Sequence, residues 1–552
     1  MTTRVSPGVR IPTYALAACA LLACGDSRSP GSTSDGPNGR ATSTVDVTTL
    51  RRGNGPEPDS LDPQRARTDS SLNVIRDLFE GLTAVGRDGK PVPAAAESWT
   101  VSADGREYLF RLRDGLRWSN GDPLMAGDFV TGMQRLVDPA TASQYAQILE
   151  PVLNAAEIVR GERPPSELGV LAPDPRTVIV RLVNPAPYLL GLMSHPSTFP
   201  AHSPSLAKHG ERFAQAGRLV GNGAFVLEEW VVGSHIGVRR NPSYWDDRNM
   251  KLDRVRFLHT NDPSTEFRQY RAGQLDVTYV VPGPQFAWIR EHLPAELRIS
   301  PQLSTYYYGF NLTRPPFKDQ PGLRRALSLV IDRERLTAAV TGLGEAPAYG
   351  WVPRGVADYT PQQFDYASRS YEDRLREARE LYEAAGYSAE RPLEVEIRYN
   401  TGEVHNRIAV AIAAMWKESL GVQTSLYAEE FRALLASVQA RTETEIFRSS
   451  WIGDFDDAYS FAQLLQSDFG INLTGYSNPR YDALLAEAIG QPDAARRRAL
   501  LQDAERVMLA DHPLLPIYFY VSKHLVKPYV HGWSDNVVNI QYSRNLSLGP
   551  GQ

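Results

Sequence analysis

The chain has 552 residues, 42% hydrophobic and 22% charged, a balance that belongs to ordinary folded proteins and excludes disorder as the general state. That length exceeds one simple core and points to two or three lobes. Lys+Arg 59 against Asp+Glu 64 gives a formal charge of −5, without the basic footprint that nucleic acid requires.

Arg4 and Arg10 precede the apolar run "IPTYALAACALLA", which is too short to span a bilayer stably and reads as the core of a signal peptide. Both cysteines, Cys19 and Cys24, lie in this region. Everything downstream is therefore free of disulfides and cysteine metal sites. The stretch "LLAC", ending at Cys24, resembles the lipobox of bacterial lipoproteins, in which the cysteine is acylated and becomes the first mature residue. "LAAC" at Cys19 also fits but leaves a very short apolar core, so Cys24 is the expected lipidation site. Ordinary secretion is the alternative. The Gly/Ser/Pro-rich residues that follow, to about 45, form a flexible tether.

Beyond the tether, strand and helix signals alternate. "REYLFRLR" alternates apolar and polar residues after the Asp104–Gly105 turn and predicts a hairpin strand. "TVIVRLV" (177–183) predicts another. Helical periodicity runs over 323–340, over 405–421 up to a closing glycine, and over "PRYDALLAEAI". The mixture argues an α/β or α+β protein. No H-E-x-x-H, G-x-S-x-G or P-loop is present, and the ten histidines show no metal-ligand spacing. No catalytic residue, cofactor or metal is expected from the motifs.

One short stretch poses a question. In "SSWIGDFDDAYSF" (449–461) Asp454, Asp456 and Asp457 sit among Trp451, Phe455, Tyr459 and Phe461. Carboxylates beside aromatic surface are costly unless the charge has a partner. An acid dyad, a metal site and a plain turn all fit. If 448–454 is extended, Arg448, Ser450, Ile452 and Asp454 share one face, with the terminal charges about 20 Å apart.

From about residue 46 to its end the chain resembles the oligopeptide-binding proteins, the extracytoplasmic solute-binding components (family 5) of peptide ABC importers. The resemblance rests on an ordered set: "GNGPEPDSLDP", "IRDLFEGL", "AAESWTVSADGREYLFRLRDGLRWSNGDPL", "GNGAFVLEEW", "RRNPSYWD", "QYRAGQLDVTY", "RALSLVIDRERL", "YSNPRYDALL" and "ERVMLADHPLLPIYFY". The one departure is "PFKDQPGLRRAL", where the loop before the helix is one residue longer. The resemblance implies a type II periplasmic-binding-protein fold, two lobes with a hinge plus an inserted domain. The implied division is a signal peptide 1–23, tether 24–45, lobe I from 46–80, 204–305 and 522–552, inserted domain 81–203 and lobe II 306–521. Such proteins close on extended peptides and bind their backbone as an added strand.

By the same resemblance, Asp454 stands where the family holds the peptide ammonium; without it, Asp454 reads as a turn or cap residue. Arg448 and His405 stand where peptide carboxylates are held; the plain alternatives are a surface arginine and a solvent-facing helix histidine. Asp456 and Asp457 match no such position and read as loop acids. Trp451, Ile452 and Gly453 adjoin the anchor, and Tyr145, Tyr279 and Tyr520 fall near ligand-facing positions. Phe431 replaces a tryptophan common in relatives. The implied partners are short peptides, an importer permease and the membrane through the lipid anchor, with no nucleic acid and a monomeric state. No cofactor is implied. A specialised solute, such as a murein or signalling peptide, and a secreted hydrolase are the competing readings.

Overall fold

The computed structural model describes residues 49–549 apart from Asp454 and Asp468. The signal-peptide core, Cys19 and Cys24, and the tether therefore lie outside the described residues. Among those described, no helix is long and apolar enough to cross a membrane.

The predicted hairpin forms as expected. Ser102 donates its hydroxyl to Asp104 at 2.5 Å, and Gly105, at φ +70°, closes the turn. The strand Glu107–Leu112 then buries Tyr108, Phe110 and Leu112 on one face. It lies within a four-stranded antiparallel sheet, in the order Ala96–Val101, Glu107–Leu112, Thr177–Arg181, Val170–Asp174. A second four-stranded sheet runs Thr49–Gly53, Arg254–Leu258, His235–Arg240, Phe225–Val231, and only its first pair is parallel. Side chains from both sheets share one large core that includes Leu50, Phe110, Val178 and Phe257.

The largest sheet has six strands, in the order Ala346–Pro347, Leu514–Leu525, Leu297–Phe310, Ile446–Ile452, Glu394–Asn400, Gln423–Glu429. The strands Glu394–Asn400 and Gln423–Glu429 are parallel. Parallel neighbours need a crossover, supplied here by the helix Glu403–Leu420, which ends at Gly421 in the left-handed conformation at φ +76°. This sheet builds the other large core, with Tyr306, Trp351, Ile397 and Trp416 at its centre. The two cores meet where the ring of Tyr188 stacks on Phe455, centroids 4.0 Å apart. The strands Leu297–Phe310 and Leu514–Leu525 also connect regions. Leu525 belongs to a small core with Phe267 and Ile289, whereas Leu514 and Tyr518 belong to the largest. Their mutual pairing breaks register between Pro301 and Thr305.

The helix expected over 323–340 is interrupted. It runs Pro321–Leu329, breaks, and resumes at Arg333–Arg335 before a π-helical turn, Leu336–Thr341. Asp332 caps the restart by accepting the Arg335 amide at 2.9 Å. Arg333, fully buried, donates to the carbonyls of Ser328 and Ile331 and to that of Pro516. Hydrophobic periodicity continues across the break, which is why it is silent in the pattern. In the preceding loop Asp319 takes a left-handed conformation, φ +56°. The predicted helix at Pro479–Ile489 stands, capped by Asn478.

Candidate functional site

The acidic stretch resolves unequally. Asp457 forms a two-pronged pair with Arg497, at 2.7 and 3.0 Å, and accepts the Tyr459 amide at 2.8 Å. Asp456 accepts the Ala357 amide at 2.9 Å, and burial pushes its pKa up to about 6. Both are anchored structural groups rather than loop acids in water, and a sequence-distant arginine supplies the cation that one of them needs. Asp454 lies outside the described residues.

Immediately before it, the strand Ile446–Ile452 is paired unevenly. Along one side it is antiparallel to Leu297–Phe310, from Ile446↔Phe310 to Ile452↔Ser304. On the other side it pairs with Glu394–Asn400 only at Ile446 and Phe447. The Gly453 amide donates to the Leu303 carbonyl at 2.8 Å. In an antiparallel ladder bonded and non-bonded pairs alternate, so Ser450 and Ile452 turn their main-chain groups to the open side. Ile452 is 61% exposed. Trp451 projects from the opposite face, packs against the large core and donates its indole N–H to the Ser460 carbonyl at 2.7 Å. A side chain at Gly453 would press on the ring of Phe461 at 3.0 Å.

Arg448 lies at the start of this open edge, 8% exposed. Its guanidinium sits 4.4 Å above the ring of Tyr306 and donates to Asn400 Oδ1 at 3.0 Å and to the Tyr520 hydroxyl at 3.1 Å. Its Nε has no hydrogen-bond partner, and among the described residues no carboxylate lies within ion-pair distance. A charge this buried ordinarily requires compensation. His405 joins the same cluster, its Nδ1 3.2 Å from the Tyr306 hydroxyl. Burial, and then the Arg448 charge, push the His405 pKa down to about 4. Tyr518 stacks on Tyr306 at 4.6 Å and meets Tyr520 edge-on at 5.0 Å.

Arg448, His405 and Tyr520 are thus brought together, with Tyr306 as the shared surface. Tyr306, Tyr518 and Asn400 were not singled out from sequence. The alternating aromatics of "YYYGF" and "IYFY" were the available signal, indistinguishable there from core. Phe431, 56% exposed, opens a pocket of about 80 Å³ with Leu434, Leu435, Val438 and Leu473 that reaches Arg448. Tyr145 and Tyr279 lie elsewhere. Tyr145 packs at 4.8 Å against the ring of His195 on the other large core. Tyr279 lies over Gly55, where a side chain would meet its ring at 2.7 Å and where φ is +64°. Only glycine satisfies both demands there.

The model of the bacterial extracellular solute-binding proteins, family 5 Middle, matches residues 90–472. The chain belongs to this family. Its mixed α/β architecture is the periplasmic-binding-protein fold of family 5. Over 502 residues it is 40% identical to the probable deoxycholate-binding periplasmic protein YgiS of Escherichia coli, covering 90% of this chain and 93% of the relative. It is 36% identical over 504 residues to the periplasmic oligopeptide-binding protein OppA of the same organism, covering 91% and 92%. Among solved structures, the periplasmic murein tripeptide-binding protein MppA in its unliganded open form superposes with a TM-score of 0.84 at 37% identity, covering 91% of this chain and 98% of that one.

Proposed function

We propose that this family 5 protein captures short peptides between two lobes and delivers them to the permease of an ABC importer. The observation that carries the reading is the open edge at Ser450 and Ile452, beside a buried guanidinium that no described carboxylate neutralises. An extended chain laid antiparallel on that edge gains main-chain hydrogen bonds without reading side chains. Anchors for an ammonium at Asp454 and a carboxylate at Arg448 or His405, about 20 Å apart along an extended strand, are spanned directly by about five or six residues, and a shorter peptide held at Asp454 reaches the cation through water. Ile452 and Gly453 border the ammonium end; Phe431, Tyr520, Tyr145 and Tyr279 wall the enclosure, and Trp451 holds the strand from behind.

The lobes of the proposal are 46–80 with 204–305 and 522–552, and 306–521; residues 81–203 form the inserted domain. The strands Leu297–Phe310 and Leu514–Leu525 form the hinge, and closure presents the loaded form to the permease. The protein is exported, monomeric and held at the membrane by a lipid on Cys24.

Calorimetry on the full chain tests the reading. Trialanine should bind, and its N-acetylated and C-amidated forms should bind at least tenfold more weakly, each having lost one charge. Asp454→Ala should weaken trialanine about a hundredfold or more, the scale of a buried charge left unpaired at roughly 3–5 kcal/mol. Small-angle scattering of the same samples should show compaction with peptide. Equal affinity for free and acetylated peptide would remove Asp454 from the site.

A second reading follows from the 40% identity to a probable deoxycholate-binding protein. A bile acid offers one carboxylate on an apolar body and no ammonium. Deoxycholate that binds with its affinity unchanged in Asp454→Ala but lost in Arg448→Ala would favour that reading over peptides.

A further inference from the structure

A second arginine, half-buried where Arg448 is buried, also lacks a carboxylate partner among the described residues, on the side of the other large core. Arg76 lies in the last turn of the helix Asp69–Leu78, whose Leu72, Val74, Ile75 and Leu78 fill that core. Its Nε is buried without a hydrogen-bond partner. Among the described residues its one hydrogen bond runs from Nη1 to Asn73 Oδ1, at a long 3.4 Å. Among the described residues no carboxylate pairs with it within 4.0 Å. Other buried and half-buried arginines are treated differently. Arg497 and Arg135 meet Asp457 and Asp62 at 2.7 and 2.5 Å. Arg324 and Arg333, without carboxylates, are each held by several main-chain carbonyls. Arg76 has neither.

The helix carbonyl end offsets part of its charge, but a helix terminus compensates a full charge only weakly. Burial presses its pKa below the ordinary arginine value, against the pull of Tyr542, Asp69, Tyr145 and Asp77. Asp77 on the same helix accepts the Ser543 amide at 3.1 Å with one oxygen, and its other oxygen is buried without a hydrogen-bond partner and forms no ion pair with Arg76 within 4.0 Å.

The surroundings of Arg76 lead to the proposed enclosure. Asn73, which accepts from it, donates to Asn54 at 3.3 Å, and Asn54 precedes Gly55, which lies under Tyr279. Tyr145 and His195, their rings tilted against each other with centroids 4.8 Å apart, both sense the Arg76 charge, and the exposed Asp69 acts on both Arg76 and Tyr279. Both tyrosines assigned to the enclosure wall therefore flank this helix.

We propose that Arg76 is a second carboxylate receptor, placed to take the acidic side chain of a bound peptide while Arg448 or His405 takes its terminal carboxylate. The proposal rests on the peptide-binding reading and on Tyr145 and Tyr279 lining the enclosure. It makes the site selective at one position: a glutamate or aspartate there supplies the counter-charge that the protein withholds, and a glutamine of the same shape does not. Charge-assisted, two-pronged contacts of guanidinium with carboxylate are among the stronger polar interactions.

The test is calorimetry on the full chain with Glu-Ala-Ala, Ala-Glu-Ala and Ala-Ala-Glu, each against its glutamine counterpart and against trialanine. One glutamate position should bind about tenfold tighter than its glutamine twin, and the preference should vanish in Arg76→Gln and persist in part in Arg76→Lys. Trialanine should bind the parent and Arg76→Gln alike. Equal affinities for all three glutamate–glutamine pairs in the unaltered protein overturn the proposal without any variant. So does a preference that survives Arg76→Gln. Failure of trialanine itself to bind would instead sink the peptide reading on which the proposal stands.

Discussion

His405 and Arg448 lie 43 positions apart in sequence, on a helix and a strand, yet both rest on Tyr306. An unperturbed histidine titrates in the physiological range. The burial of His405 beside a guanidinium instead holds the ring neutral down to about pH 4 when the site is empty. A docked carboxylate favours the protonated ring, so the pKa in the complex must rise above that value. Peptides whose carboxylate rests on His405 should therefore bind more tightly as pH falls from the complex's pKa toward about 4, and level off below it. Peptides resting on Arg448 should show no such slope. Tri-, tetra- and pentaalanine titrated at pH 5 and pH 7.5 should separate the two, with His405→Ala abolishing the slope and Arg448→Ala leaving it. A slope that survives His405→Ala would assign the effect to another group. The aspartates show what sequence conveys at this scale. That Asp456 and Asp457 need partners is visible from their aromatic neighbours; that Arg497 answers Asp457 from 40 positions away is not.

Among the elements, the strand Ile446–Ile452 joins folding to binding, since its first residues are paired on both sides and its last on one. Proline at an unpaired edge position removes a donor without disturbing the ladder. Ser450→Pro is expected to leave the thermal midpoint within a few degrees of the parent while weakening peptide binding at least tenfold. Loss of the fold would show instead that the amide of Ser450 is engaged internally, and unchanged binding would show that the ligand does not use this edge. The extended character of the strand was legible from Arg448 onward. Its lack of a second neighbour was not, because pairing depends on where Glu394–Asn400 diverges from it, after Arg398↔Phe447. The break at 330–332 was hidden likewise, since Arg333 satisfies the freed carbonyls through contacts made only in three dimensions.

At the scale of the whole molecule the ordered set of motifs conveyed the architecture, and local patterning did not. Apolar alternation places Tyr108 and Phe110 inward, but cannot say that their sheet shares a core with strands more than a hundred residues away. The proposed N-terminal export signal belongs to this scale too, because it would decide where the protein works. If Cys24 carries the lipid, Cys24→Ala should move the protein from the membrane fraction to the soluble extracytoplasmic one, and Cys19→Ala should not. Retention of the Cys24 variant on membranes would end the lipoprotein assignment.

The open edge has a consequence when two such molecules meet. An unpaired strand with an exposed isoleucine is a template for any extended chain, including the same segment of a second copy. Two such edges paired antiparallel about Ser450 would set Arg448 of each molecule against Ile452 of the other, and would take two guanidiniums, without described carboxylates, out of water at the ends of the shared ladder. The residue proposed to take a peptide's carboxylate would thereby discourage self-association. Arg448→Leu should reveal this as concentration-dependent aggregation that added peptide suppresses, since the ligand would cover the edge that the lost charge had protected.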